Sequence, residues 1–152
     1  MPNTYSQIYI QIVFAVKGRQ NFIKESFREE VQKYMAGIIN NKKQKLYAVY
    51  CMPDHVHLLV SIKPDIAISD LVRDIKANTS SFIKEKGFHH AFSWQEGFGA
   101  FSYSKSQVER VVHYILNQPL HHRKRSFKEE YFQFLKNYEV ALDEKYVFEF
   151  YD

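Results

Sequence analysis

Cysteine is almost missing from this 152-residue chain: Cys51 stands alone, so no internal disulfide can form, and a reducing cytoplasmic setting is the expectation. Proline and glycine are scarce, at four and five residues, and no repeat or Pro/Gly-rich linker divides the sequence. Residues 1–152 are therefore read as one domain, long enough to bury roughly 70% of its unfolded surface. No apolar run approaches the ~18 residues of a membrane span, and Met1-Pro2-Asn3-Thr4-Tyr5-Ser6 lacks the basic head and apolar stretch of an export signal. Neither charge sign dominates: 21 Lys+Arg face 17 Asp+Glu, a net +4 that hints at nucleic acid and decides nothing. With 45% hydrophobic and 25% charged residues, disordered and collagen-like classes are excluded. Aromatics are what the chain has in plenty, with 13 Phe, 11 Tyr and one Trp.

The modest total hides a bipolar C-terminal region. Residues 105–128 carry six basic residues and one acid, while 129–152 carry two basic and seven acidic ones. The basic stretch contains His121-His122-Arg123-Lys124-Arg125, which can neutralise phosphates or simply form a solvated loop. The acidic segment reads as an offset to it.

Hydrophobic periodicity supplies the element order. Ser6 to Val16 alternates Ile8, Ile10, Ile12, Phe14 and Val16 with Gln7, Tyr9 and Gln11, which predicts a strand with one wet face. Lys24 to Asn40 has helical spacing. Leu46–Met52 and His55–Ile62 read as a hairpin turning at Pro53-Asp54. Ser69 to Lys86 is a second helix, capped by Ser69 and stopped by Gly87. Phe98–Tyr103 is a fourth strand, and a helix opened by a Ser106-x-x-Glu109 box follows. A last helix spans Phe127–Tyr138. This β-α-β-β-α-β order predicts an α+β fold of the ferredoxin-like (RRM-like) split type: an antiparallel sheet, two helices on one face, and added C-terminal helices. The other face is left for a ligand or partner.

The sharpest local feature is His55-Val56-His57. On a strand, period two sends both imidazoles to one face, where they can share a metal ion or simply be surface histidines. Tyr114 and Gln118, one helical turn apart and off the apolar stripe Val108, Val111, Val112 and Ile115, are candidates to complete such a site. A phenol of pKa near 10 needs activation to act as a nucleophile. A divalent cation held by His55, His57 and the Gln118 carbonyl would polarise a phosphodiester beside Tyr114. Attack would leave a phosphotyrosyl bond that conserves the linkage energy for rejoining. Neutral N/O ligands with an open position suit Mg²⁺ or Mn²⁺.

Met52-Pro53-Asp54-His55-Val56-His57-Leu58-Leu59-Val60, Trp94-Gln95-Glu96-Gly97-Phe98-Gly99-Ala100-Phe101-Ser102 and Tyr114-Ile115-Leu116-Asn117-Gln118 occur in this order. Together they resemble the small HUH-type tyrosine transposases, the TnpA proteins of single-strand insertion sequences (transposase IS200-like), over essentially the whole chain. The resemblance implies a homodimer that acts on single-stranded DNA with hairpin ends, through a 5′-phosphotyrosine intermediate and Mg²⁺ or Mn²⁺. Carried over by position, Tyr114 is the nucleophile, His55 and His57 are metal ligands, and Gln118 is the third ligand. In the family the tyrosine helix can complete a partner's site, with Gly97 and Gly99 as possible slack. Pro119 departs from the family pattern and predicts that the helix ends at Gln118, which leaves His121 or His122 as substitute ligands. Arg110, Lys105, Arg123, Lys124, Arg125 and Lys76 are the candidate DNA contacts; Trp94 and Phe101 stack on bases or pack internally. Two alternatives stay open: a domesticated repeat-associated transposase, and a non-catalytic ferredoxin-like binder of single-stranded nucleic acid.

Overall fold

Four β-rich segments pair into one antiparallel sheet because each alternates side chains that fit a face on either side. The computed structural model describes residues 3–18 and 23–151. The strands are β1 (Tyr9–Ala15), β2 (Lys45–Cys51), β3 (His55–Ser61) and β4 (Gly99–Tyr103), in the spatial order β2-β3-β1-β4. The two long helices are α1 (Glu25–Asn41) and α2 (Ile68–Glu85). This is the split βαββαβ plan expected from the sequence.

The helices α1 and α2 place Phe27, Val31, Met35, Ile39 and Leu71, Val72, Ile75, Ile83 in the core. These residues share it with Ile10, Ile12, Phe14, Val56, Leu58 and Val60 of the two central strands. Gly87, at φ +72°, stops α2 as expected, where a Cβ would be strained. Its start differs by a residue or two: Ala67, with no side-chain cap, precedes Ile68, and Ser69 lies inside the helix. The third helix also starts differently. A Ser104–Gln107 capping box closes a short 3₁₀ turn at Lys105–Gln107, rather than Ser106 pairing with Glu109.

The second sheet face is not open. It is covered by α3 (Val108–Leu116), the single turn α4 (Gln118–His121), α5 (Phe127–Asn137) and the tail. The reading of β1 as a strand with one wet face is therefore corrected: all seven of its residues are buried, Gln11 included. Val111 and Ile115 of α3 pack on Ala48 and Leu59. Phe127 and Tyr131 of α5 join the main core together with Phe148 of the tail. Gln95 anchors that tail, donating from Nε2 to the carbonyls of Val16 and Glu149 and accepting from the Glu149 amide.

α5 opens with a capping box, Ser126 with Glu129. It approaches β4 so closely that a Cβ on Gly99 would lie 2.6 Å from the Tyr131 hydroxyl oxygen. Gly99 is thus a close-approach glycine rather than a source of slack. No helix among the described residues is long and apolar enough to cross a membrane.

Candidate active site

Strand pairing assembles the site's floor. Across β1 and β3, Val13 lies opposite His57 and Ala15 opposite His55, with both imidazoles on the face covered by α3, α4 and α5. Both are fully buried, so they are not the surface histidines of a solvated strand. Each ring is oriented through Nδ1. His55 Nδ1–H donates to Asp54 Oδ1 at 2.8 Å, and His57 Nδ1–H donates to Gln11 Oε1 at 2.8 Å. Gln11 is fixed in turn, its Nε2 donating to the Tyr103 hydroxyl at 2.8 Å. Partners of this kind set the tautomer and leave Nε2 free to point inward. Phe127 stacks on the His55 ring at 3.8 Å and 4°.

The helices supply the other groups. Pro119 acts differently from the sequence expectation: α3 stops at Leu116, and Asn117 then leads into α4, whose first residue is Gln118. Proline is well accommodated in the first turn of a new helix, where its missing N–H has no intrahelical acceptor. The break drops Gln118 fully into the interior. Its Oε1 lies 3.3 Å from His55 Nε2 and 3.0 Å from His122 Nε2. Tyr114, half-buried, points at the same cluster. Its hydroxyl donates to Glu130 Oε2 and accepts from Arg125 Nη2 at 3.1 Å. Nucleophile candidate and imidazole pair thus meet within one chain.

The centre of the cluster is a residue the motif reading missed. Glu130, buried on α5, sets Oε1 at 3.0 Å from His57 Nε2, 3.2 Å from His122 Nε2 and 3.5 Å from His55 Nε2. Its Oε2 also accepts from Gln118 Nε2 at 3.0 Å. The acidic segment does more than offset the basic one. A signal was present: Phe127, Glu130, Tyr131 and Phe134 share helical i, i+3, i+4, i+7 spacing, so a lone carboxylate falls on an apolar stripe.

The electrostatics follow from this burial. Burial pushes the Glu130 carboxyl up, but the imidazoles, His57 foremost, outweigh it and hold the group well below the usual carboxylate range. Burial lowers His55, yet Asp54 and Glu130 outweigh that and raise it to about 9. His57 is lowered, with burial as the main cause. The Tyr114 phenol is raised by burial and then by the Glu130 charge, with Arg125 opposing.

The donor set fits a divalent cation. Imidazole nitrogens and amide or carboxylate oxygens converge without a thiolate, and His55, His122 and Glu130 have ligand atoms all within 4.8 Å of one another. His121 does not join them; its ring stacks on Tyr114 at 4.4 Å. A cavity of about 220 Å³ opens beside Tyr114, lined by Gln11, Tyr103, Arg110, Arg125 and residues of α5. Lys105, Arg123 and Lys124 are exposed. Lys76 lies apart, its ammonium donating to the carbonyls of Gln95 (2.9 Å) and Gly97 (2.7 Å) and its pKa lowered by burial to about 8. Trp94 and Phe101 pack internally, Trp94 against Phe14 and Phe92, and Phe101 against Phe134.

Residues 4–118 match the family described as "Transposase IS200 like". No curated protein matches the chain. Among solved structures, the chain is similar to a candidate transposase from Deinococcus radiodurans R1, solved at 1.90 Å. The TM-score is 0.61 at 20% identity, covering 76% of this chain and 94% of that one. It is also similar to a REP-associated tyrosine transposase bound to a REP hairpin, with a TM-score of 0.60 at 15% identity over 79% of this chain and 72% of that one. At these identities the likeness establishes the shared fold.

Proposed function

The chain belongs to the IS200-like transposase family, and from that premise we propose that it cleaves and rejoins single-stranded DNA through a phosphotyrosine on Tyr114. The observation that carries this reading is the meeting of the Tyr114 hydroxyl and the His55 and His57 Nε2 atoms on one buried carboxylate. In the reaction, the Tyr114 oxygen forms a bond to phosphorus and the P–O3′ bond breaks. The departing 3′-oxygen takes up a proton, and the 5′-phosphate stays on the tyrosine. Reversal by a different 3′-hydroxyl rejoins strands without a nucleotide cofactor.

Each side chain has a task. Arg125, in contact with the Tyr114 oxygen, stabilises its negative charge as the phenol loses its proton. Gln11 and Asp54 hold His57 and His55 so that each Nε2 faces the reaction centre. His55, His57 and Gln118 would hold Mg²⁺ or Mn²⁺, which supplies polarisation of the scissile phosphate when bound. Arg110, Lys105, Arg123 and Lys124 receive the flanking phosphates. Lys76, committed to two carbonyls, stays outside that group.

The REP hairpin held by the similar solved structure supports hairpin-ended single-stranded DNA as the partner. Association with a second copy belongs to the same proposed reading, and Leu116 and Leu120, 51% and 53% exposed, are available to such a contact. The test is a denaturing gel of the protein with Mg²⁺ and single-stranded DNA from the ends of its own coding element. A covalent protein–DNA adduct is expected, and Tyr114→Phe should abolish it. Absence of adduct from the unmodified protein overturns the reading.

A further inference from the structure

We infer that Glu130 is itself a metal ligand, an anionic donor contributed by a helix outside the segment that matches the family. The inference rests on the proposed reading of the site as one that takes a divalent cation, and extends it to a residue that reading does not use.

The argument starts from hydrogen-bond bookkeeping. The His57 proton is committed at Nδ1 to Gln11 Oε1, so the neutral ring presents only a lone pair at Nε2. That lone pair faces Glu130 Oε1 at 3.0 Å. His55 keeps Nδ1–H on Asp54 and directs Nε2 at the same oxygens, 3.3 Å from Gln118 Oε1 and 3.5 Å from Glu130 Oε1. At the His57 edge, acceptor therefore faces acceptor inside the buried cluster. Such contacts are repulsive unless positive charge lies between them.

A divalent cation satisfies this edge and the His55 contacts at once. Bonds of about 2.1 Å at right angles set neighbouring ligand atoms about 3.0 Å apart, and somewhat wider angles give a few tenths more. The observed separations of 3.0–3.5 Å fall in that range. Glu130 also has its second oxygen secured, since Oε2 accepts from Gln118 Nε2 and from Tyr114. That fixes the carboxylate plane and directs Oε1 inward. Glu130 Oε1 lies within 3.5 Å of the Nε2 atoms of His55, His57 and His122 alike, so an ion held by any of these imidazoles has it as a neighbour. Since the family match ends at residue 118, the anionic ligand comes with α5.

The test uses Mn²⁺ alone, without DNA, added to the full chain. Binding is read by calorimetry, with circular dichroism to verify folding. Glu130→Gln keeps the shape and removes the charge; at least a tenfold loss of affinity is expected, and Glu130→Asp should recover part of it. Should Glu130→Gln fail to fold, hydrogen exchange of the unmodified protein decides: Mn²⁺ should slow exchange in residues 127–137. Unchanged affinity in Glu130→Gln, or no slowing in α5, overturns the inference while leaving the metal site intact. No Mn²⁺ binding by the unmodified protein overturns the metal reading as a whole.

Discussion

Arg125 Nη2 donates to the Tyr114 hydroxyl oxygen across 3.1 Å, so a permanent cation touches the atom proposed to attack phosphorus. A guanidinium there favours phenolate, against the burial and the Glu130 charge that favour the phenol. Arg125→Ala should slow adduct formation by a factor of ten to a hundred. It should also move the alkaline limb of the rate profile to higher pH. Single-turnover rates across pH, set beside DNA affinities measured separately, check both points; a loss confined to DNA affinity would make Arg125 a phosphate contact only.

Gln11 touches neither Tyr114 nor the inward-facing imidazole nitrogens, yet it fixes the His57 tautomer. Gln11→Leu should weaken Mn²⁺ binding by about 10–100-fold, as loss of an orienting partner usually does. Gln11→Glu retains an acceptor at Nδ1 and should keep or raise the affinity. Calorimetric titration of the two variants distinguishes orientation from general loosening.

His55 makes the metal-free protein sensitive to pH. Its pKa is raised in the fold from 6.5 to about 9, so its stabilising contribution is complete below pH 6.5 and is lost as pH rises through about 9. His57 is lowered and acts oppositely, withdrawing stability as pH falls below its unfolded value. Between pH 6.5 and 9 the His55 effect prevails. Thermal unfolding in chelator should therefore show a falling Tm over that window, and His55→Gln should flatten the slope.

Gly99→Ala should cost about 1–3 kcal/mol, because the added methyl meets the Tyr131 ring and hydroxyl and the Phe101 ring, all at 2.6–2.9 Å. Tyr131→Phe removes the shortest of these contacts and should recover part of the loss in the double variant. Urea unfolding of the two single variants and the double one measures the coupling. Additive effects would mean that α5 adjusts elsewhere.

The strands, both long helices and the His-Val-His pair were legible because period-two and helical spacings act locally. The burial of β1 was not. Its Gln11 reads as wet until the helices from residues 108–137 are folded over it, and nothing within Tyr9–Ala15 announces that cover. Pro119 was read correctly as an interruption, but the helix ends two residues earlier than expected, at Leu116, and the proline sits in the first turn of a new helix instead of ending one. Tyr114 and Gln118 could be found by motif. Glu130 could not, since no motif reaches it; only its position on the apolar stripe of α5 marks it, and composition had counted it with the tail's surplus acids.

The covered second face also makes the molecule divisible. Arg123 and Lys124, exposed between α4 and α5, form an accessible point for a trypsin-like protease. A cut there would put Tyr114, the imidazole pair and Gln118 on one fragment and Glu130 on the other. The buried rings of Phe127, Tyr131 and Phe148 would remain lodged against the sheet. The two pieces should then stay together as a nicked complex, and the short one, supplied as a separate peptide, becomes a replaceable part through which position 130 can be varied at will.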